Sequence, residues 1–170
     1  MEKTLKVING LLENGLIKNY AIGGGIAAVF YIEPILTYDI DIFFVPDEKN
    51  EGLLPLSPVY EYLKKRGYSP EKEHIVIEGI PVQFLPVFDE LIEEAVNEAV
   101  QIHYKSTRVR VMKMEYLIAI MLQTNRQKDR NRVIKAVSEA EIDRNLLDNI
   151  LDRFNLKEKF ERILEMYNAE

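Results

Sequence analysis

The sequence predicts an α/β (α+β) fold, with a mixed sheet flanked by helices and a helical bundle at the C-terminal end. Two observations support this prediction. Segments of helical period alternate with apolar, β-branched segments up to about residue 112, and every segment from Met114 onward has helical period. An alternating order followed by a helical tail is typical of a sheet domain that carries a bundle. We therefore predict an α/β domain over residues 1–112 and a helical region packed on it over residues 113–170.

Local patterns predict each element. Leu and Ile recur about every 3.6 residues in the first helix, whereas "TYDIDIFFVP" alternates like a strand, and Glu78-Gly79 has the composition of a hairpin turn. The predicted helices of the first domain span residues 3–18, 24–32 (stopped at Pro34), 59–68 and 89–104. The predicted strands span residues 20–24, 37–46, 74–77, 80–87 and 107–112, with a loop over residues 46–58. The helical region is predicted to break near residues 124–125, 142–143 and 155.

The chain is acidic overall, with 22 Lys and Arg against 28 Asp and Glu and a net charge of −6. Residues 103–136 are the exception, because they contain nine basic and two acidic residues. A basic segment inside an acidic chain favours a local anion site over general coating of nucleic acid. The solvated faces of two helices would give the same composition, so both interpretations stay open.

Cysteine is absent from the sequence, which excludes disulfide bonds and thiolate metal sites. The N-terminal segment has charges throughout and lacks the pattern of a signal peptide. No apolar stretch approaches the ~20 residues that span a bilayer. We therefore expect a cytoplasmic protein with no membrane partner.

Asp39 and Asp41 are the first candidates for a functional site. Alternate residues of a strand share a face, so both carboxylates are expected on one side, with Cα atoms roughly 6.5–7 Å apart. Two like charges at that spacing repel each other unless a cation lies between them. Mg²⁺ prefers carboxylate oxygens and commonly takes one or two from the protein. The pair therefore predicts a site for Mg²⁺ or Mn²⁺, and two solvated carboxylates on an exposed sheet face are the alternative.

Three glycines, Gly23, Gly24 and Gly25, lie between a predicted strand and a predicted helix. Glycine allows positive φ and the close approach of a phosphate, and the N-terminus of the following helix favours an anion. A tight turn without a ligand is the alternative. The spacing matches neither the Rossmann glycine motif nor a P-loop, so the glycines alone identify no ligand.

Taken together, the glycines and aspartates resemble the signature of the nucleotidyltransferase superfamily of the polymerase-β type. That signature is a hydrophobic residue, Gly-Gly or Gly-Ser, a spacer and then Asp-hydrophobic-Asp, and residues 22–25 and 39–41 match its two parts. Thr37 matches a Ser or Thr often found two residues before the first Asp. The resemblance implies a nucleotidyltransferase-type sheet in which Asp39 and Asp41 are catalytic and bind the metal. It also implies nucleotide contacts from Gly23, Gly24, Gly25 and Thr37.

A second stretch is similar to small bacterial proteins related to the AbiEii-type abortive-infection toxins. In those proteins a Glu heads a helix that runs into an Arg/Lys-x-Lys-Asp-Arg-like segment, and Glu115 and "NRQKDR" (residues 125–130) take those places. Arg126, Lys128 and Arg130 can place donors near a triphosphate or an acceptor RNA. An internal ion pair between Lys128 and Asp129 is the alternative. The resemblance also implies an NTP substrate and an antitoxin partner.

The chain departs from the superfamily pattern at two positions. The third carboxylate of polymerase-β-type enzymes would fall near Gln83, whose neutral amide can coordinate a metal weakly but cannot act as a base. Ile35 stands where an Arg is common in the family. Glu78, across the hairpin turn, is the other carboxylate near this strand. The two histidines, His74 and His103, lack partners at ligand spacing and are expected at a strand surface and a helix end.

Three functional hypotheses follow from these observations. The first is an enzyme that uses Mg²⁺ to transfer a nucleoside monophosphate from an NTP to a hydroxyl of an RNA or protein acceptor. The second, favoured by Gln83, is a catalytically silent module on the same fold that binds a nucleotide or a partner. The third is the toxin of a toxin–antitoxin pair, which the resemblance alone implies.

Overall fold

The computed structural model describes residues 1–33, 36–47 and 54–168. These residues form eight α-helices and seven β-strands. The helices are α1 (Glu2–Glu13), α2 (Gly24–Ala28), α3 (Ser57–Lys65), α4 (Glu90–Asn97), α5 (Met114–Thr124), α6 (Gln127–Glu139), α7 (Arg144–Arg153) and α8 (Lys157–Asn168). The strands are β1 (Ile17–Gly23), β2 (Ile40–Pro46), β3 (Pro70–Glu71), β4 (His74–Ile77), β5 (Ile80–Pro86), β6 (Val100–Tyr104) and β7 (Thr107–Val111). Pro34, Ile35 and residues 48–53 of the predicted loop lie outside the described residues.

The strands of the described residues join one mixed sheet in the order β3-β4-β5-β2-β1-β7-β6. β1 and β2 run antiparallel, while β2 is parallel to β5 and β1 is parallel to β7. The β2–β5 register places Asp41 beside Gln83 and Phe43 beside Leu85. The predicted α/β fold, with a mixed sheet flanked by helices, is confirmed.

Strand periodicity divides β2 between two environments. Ile40, Ile42 and Phe44 are fully buried in the hydrophobic core, so the intervening Asp41 and Phe43 point to the other face. Burial of each large apolar side chain contributes about 1.5–3 kcal/mol, which fixes this register because a slip of one residue would bury the carboxylate instead.

Helices α1 and α4 pack on the sheet, and α5 connects it to the C-terminal helices. α1 packs against β1 and β7, and α4 packs against β1 and β2. α5 contacts α4 and α2 and also packs on α6 and α7, while α8 contacts α6 and α7. The predicted boundary near residue 112 falls between the end of β7 and the start of α5. Among the described residues, no helix is long and apolar enough to cross a membrane.

Several predicted turns are confirmed. Glu78 (φ 52°) and Gly79 (φ 80°) connect β4 to β5, and positive φ at both positions is the hallmark of a type I′ hairpin turn. Asn125 ends α5 in the left-handed conformation (φ 53°), and Asp143 caps α7 by accepting hydrogen bonds from the backbone N–H groups of Asn145 and Leu146. The helical region therefore breaks where its sequence predicts.

Three predicted helices are too long. The first ends at Glu13 instead of residue 18, because Gly15 adopts φ +64° and the chain enters β1 at Ile17. The second, α2, has five residues. The acidic helix ends at Asn97 instead of residue 104, and the residues after it form β6, which pairs with β7. His103 consequently lies in a strand and not at a helix end.

Candidate functional site

A cavity of about 340 Å³ lies between the sheet and the helices α4, α5 and α6. The strands β2 and β5 form its floor, and the segment from α5 into α6 forms one wall. Its polar lining consists of Gly24, Gly25, Thr37, Asp39, Asp41, Gln83, Gln123, Thr124, Arg126, Lys128, Asp129 and Arg132. Of the site residues predicted from the sequence, all line this cavity except Gly23 and Arg130, and the Arg130 side chain donates to Asn125 Oδ1 instead.

Asp39 and Asp41 both face the cavity, as strand periodicity predicts. Asp39 directly precedes β2, and its Oδ2 lies 3.2 Å from Nε2 of His74, the first residue of β4. His74 lies on a strand, as its sequence context predicts, and Asp39 is a partner that no local sequence pattern indicates. Burial, together with the negative charge of Asp39, raises the pKa of Asp41 to about 6. Positive charge from Lys128 and Arg132 opposes that shift.

The glycine turn is shaped by the side chains that pack against it. Gly24 has φ +57°, and a Cβ atom at this position would overlap the Asp41 carboxylate. A Cβ on Gly25 would lie 2.7 Å from Thr37 Oγ1 and 3.3 Å from Arg132 Nη2. Gly23 instead packs beneath the Phe43 ring, outside the cavity. Because α2 has only five residues, the close approach of other groups, and not a helix dipole, is the physical reason for these glycines.

Gln83 is the residue that the sequence resemblance places near the third carboxylate of polymerase-β-type enzymes. It lines the cavity beside Asp41 on the neighbouring strand. Glu78 is no substitute, because it lies in the hairpin turn, accepts a hydrogen bond of 2.7 Å from the Tyr68 hydroxyl and does not line the cavity. Among the described residues, no group of three or more His, Cys, Asp or Glu side chains is placed to hold a metal ion. The two carboxylates with one amide oxygen nevertheless fit Mg²⁺, which commonly takes one or two protein carboxylates and completes its shell with water and phosphate oxygens.

The cationic wall of the cavity comes from α6 and the residue before it. Asp129 is nearly fully buried, and its Oδ2 accepts hydrogen bonds from Arg126 Nε at 2.6 Å and Thr124 Oγ1 at 2.8 Å. Arg132 Nη1 lies 4.0 Å from Asp129 Oδ1. Burial alone would raise the pKa of Asp129, but these hydrogen bonds and charges outweigh it and lower the pKa.

The ion pair between Lys128 and Asp129, the alternative considered from the sequence, is not formed. The partners of Asp129 are Arg126 and Arg132, three residues away on either side, and not Lys128. Adjacent residues of a helix point in different directions, whereas residues three apart share a face. Within the described part of the chain, Lys128 forms no ion pair, and its charge acts on Asp41 across the cavity.

Sequence reasoning missed His74, Arg132 and Asp129 as members of the site. Arg132 could have been found, because it lies four residues after Lys128 and shares its helix face. His74 carries no such signal, since its contact with Asp39 depends on how the β4–β5 hairpin joins the sheet. The site as a whole combines two carboxylates, a close-packed glycine turn and a row of cations in one cavity.

No protein-family model and no curated protein matches the chain. Among solved structures, the chain is similar to the antibiotic-resistance factor ANT(2'')-Ia, with a TM-score of 0.52 and 15% identity over 99% of this chain and 98% of that one. It is also similar to an antigenic nucleotidyltransferase-like protein from Paracoccidioides brasiliensis, with a TM-score of 0.53 and 14% identity over 94% of this chain and 93% of that one. Identities this low establish a shared fold and not a shared activity. The chain therefore has the fold of the nucleotidyltransferases.

Proposed function

We propose that the chain is a metal-dependent nucleotidyltransferase, which transfers a nucleoside monophosphate from an NTP to a hydroxyl of an RNA or protein acceptor. The observation that carries the proposal is the meeting of Asp39 and Asp41 with Lys128 and Arg132 across one cavity. Carboxylates on one wall suit a divalent cation, and cations on the other suit phosphate oxygens. The nucleotidyltransferase fold of similar structures adds support.

Each residue has a role that its surroundings support. Asp39 and Asp41 would hold Mg²⁺ or Mn²⁺, which, when bound, neutralises charge on the phosphates and on the leaving pyrophosphate. His74 orients the Asp39 carboxylate through its 3.2 Å contact. Lys128 and Arg132 bind phosphate oxygens from the opposite wall. Asp129 acts as a positioning residue, because it holds Arg126 in place from a buried site.

The glycine turn completes the nucleotide contacts in this proposal. Gly24 lets the Asp41 carboxylate lie directly against the backbone, and Gly25 leaves room beside Thr37 and Arg132. A phosphate reaching the cations would pass next to this turn, where a side chain would block it. Gly23 has an indirect role, since its contacts are with Phe43 and Met112.

One observation favours a second candidate, a catalytically silent module that binds a nucleotide or a partner on the same fold. Gln83, beside Asp41, cannot accept a proton from the acceptor hydroxyl. Such a module would keep the metal and nucleotide contacts and lack turnover. Membership of the AbiEii-type branch, a toxin role and an antitoxin partner rest on the sequence resemblance alone.

The first test of this proposal is nucleotide binding. Mg²⁺ or Mn²⁺ with each NTP should raise the Tm of the wild type, because a ligand present at a hundredfold excess over Kd stabilises the native state by about 2.7 kcal/mol. The double variant Asp39→Asn, Asp41→Asn should lose the metal-dependent part of this rise. Asp148→Asn, which changes an exposed carboxylate of α7, is the matched control and should behave as wild type. An equal rise in the double variant would refute the metal role.

Turnover separates the enzyme from the silent module. α-Labelled NTPs should transfer label to an acceptor with the wild type and not with the double variant. Metal-dependent binding without transfer to RNA, protein or small hydroxyl compounds would establish the silent module instead.

A further inference from the structure

The cavity has an apolar half, which the roles assigned to its polar residues leave unused. Its floor is Phe43 and Leu85, the next pair of residues along β2 and β5 after Asp41 and Gln83. Its walls are lined by Phe88, Ile92, Leu117, Ile120 and Met121. The charged lining residues come from positions 39 and 41 and from the 126–132 segment, whereas the apolar ones come from the following part of β2 and β5, from residues 88–92 and from α5.

The register of the floor places apolar and polar residues next to each other. Residues two apart on a strand share a face, so Phe43 and Leu85 adjoin Asp41 and Gln83 on the floor of the cavity. A ring packed on Phe43 and Leu85 would direct its hydroxyl toward Asp41 and Gln83. Phe88 and Met121 add an aromatic side chain and a thioether, both of which pack favourably on a ring.

Occupants with many polar groups do not suit the apolar half. A nucleobase or a sugar placed there would lose water from its polar edges without gaining partners. The amide of Gln123, which also lines the cavity, already donates to Asp89 Oδ2 at 3.0 Å, and Asp89 Oδ1 accepts from the Ile92 backbone N–H at 2.8 Å.

Charged residues near Phe88 and in the polar lining disfavour two further classes of acceptor. Phe88, whose side chain is 74% exposed, is followed by Asp89 and Glu90 at the start of α4. These carboxylates disfavour the phosphate backbone of RNA. A polycationic aminosugar would find no carboxylate among the apolar lining residues, and it would be repelled by Arg126 and Lys128 in the polar lining.

The chemistry of the polar half points the same way. Gln83 leaves the acceptor without the base that a third carboxylate would supply. A phenol has a pKa near ~10, against ~15.7 for water, which aliphatic hydroxyls resemble. A phenolic hydroxyl therefore needs far less help from a base than a ribose or serine hydroxyl does.

From the apolar half and Gln83 together we infer that the acceptor is a phenolic hydroxyl, of a tyrosine side chain or a small phenol, with its ring between Phe43, Leu85 and Phe88. This inference rests on the proposed function. The phenolic oxygen attacks the α-phosphorus of the NTP, and its proton passes to solvent water. The bond from the α-phosphorus to the bridging oxygen breaks, so that pyrophosphate leaves and an aryl nucleoside monophosphate ester remains.

The test compares acceptors under one set of conditions. The full chain is incubated with Mg²⁺, four α-labelled NTPs and, in separate reactions, N-acetyl-tyrosinamide, p-cresol, N-acetyl-serinamide, neomycin or total RNA. We expect label on N-acetyl-tyrosinamide or p-cresol at a rate at least ~10-fold above the other three acceptors, in keeping with the size of base assistance that the others would need. Preference between the two phenols distinguishes a tyrosine side chain from a small phenol as the source.

Variants of the apolar half test whether the phenol ring binds there. Phe88→Ser should raise the KM for the phenol roughly 3- to 10-fold, the range that one aromatic contact supports. Ile120→Gln, which places an amide in the same half, should act in the same direction. Both should leave the Tm rise with Mg²⁺ and NTP unchanged. Tyr167→Ser removes an exposed aromatic ring of α8 outside the cavity and should change neither quantity.

Four results would overturn the inference. Label on serinamide, neomycin or RNA in place of the phenols would assign another acceptor. Loss of NTP affinity in both Phe88→Ser and Ile120→Gln would show that the apolar half holds the nucleobase. Metal-dependent NTP binding that needs Asp39 and Asp41, with no labelled phenol, would refute the phenolic acceptor while the nucleotide site stands. Absence of any such binding would refute the proposed function, and the inference with it.

Discussion

Replacing Gly24 with alanine should damage the site through Asp41, and a second glycine provides the control. Gly24 (φ +57°) and Gly15 (φ +64°) have similar backbone conformations, but a Cβ at Gly15 would meet nothing within 4 Å. Gly15→Ala therefore measures only the free-energy cost of placing an alanine in the left-handed conformation. That net cost is about 1 kcal/mol, because the lower entropy of the unfolded chain offsets part of the strain. Gly24→Ala adds the displacement of the Asp41 carboxylate.

Overpacking of this kind typically adds about 1–3 kcal/mol. We therefore expect Gly24→Ala to lower the free energy of unfolding by about 2–4 kcal/mol, measured by urea denaturation without metal. The same variant should lose the Tm rise with Mg²⁺ and NTP, because Asp41 can no longer lie against the turn. Gly15→Ala should keep that rise.

A double-mutant cycle tests the cause. Asp41→Ala removes the overlapping oxygen and leaves only its own Cβ, 3.3 Å from the Cβ position at Gly24. In that background Gly24→Ala should cost about as much as Gly15→Ala, which gives a coupling energy of at least ~1 kcal/mol. Equal losses for the two glycine variants in the wild-type background, or additive effects in the cycle, would refute the reasoning.

Three further predictions concern charge. Arg153 donates a hydrogen bond of 2.9 Å to Glu94 and lowers the pKa of that carboxyl. The stabilisation that the ionised Glu94 carboxylate gives the fold is therefore complete at neutral pH, and it is lost as the pH falls below the ordinary glutamate range. Glu94→Gln should therefore lower the Tm at pH 7, and its difference from the wild type should shrink as the pH falls through the lowered pKa of Glu94, as followed by circular dichroism. Asp129→Asn should cost about 2 kcal/mol in urea unfolding, because a buried carboxylate with charged donors is lost. Gln83→Asp should tighten Mg²⁺ binding and raise transfer of label to an aliphatic hydroxyl, such as that of N-acetyl-serinamide, by roughly 10²-fold, with a smaller gain for a phenol; a fall in transfer to both acceptors would show that the two-aspartate site is already complete.

The sequence analysis predicts most of the fold correctly where one physical signal dominates. Alternation in "DIDIFF" places Asp39 and Asp41 on one face because Ile40 and Ile42 must be buried. Type I′ geometry requires positive φ at both central residues, and Glu78-Gly79 supplies a glycine for one of them. The helix breaks near Asn125 and Asp143 follow from polar residues that cap or end helices.

The errors occur where tertiary pairing decides between two local patterns. Residues 100–104 follow an acidic helix without a glycine or proline to stop it, yet they form β6 because β7 offers a strand edge for pairing. The apolar residues Leu16 and Ile17 continue the period of α1, although Gly15 has already turned the chain into β1. The contact of His74 with Asp39 joins residues 35 positions apart, which no local pattern can specify.

The cluster of Thr124, Arg126 and Asp129 at the junction of α5 and α6 has a consequence for the thermodynamics of binding. Its hydrogen bonds tie the last residue of α5 to the first turn of α6, so the direction of the cationic helix face is set when the chain folds. A preorganised site gives up little conformational entropy when a ligand arrives. Calorimetry of triphosphate binding should accordingly show only a small heat-capacity change, since the phosphates meet cations already in place and bury little apolar surface. If this junction were loosened, every phosphate contact could still form. Each binding event would then be weakened by the entropy lost when α6 becomes ordered.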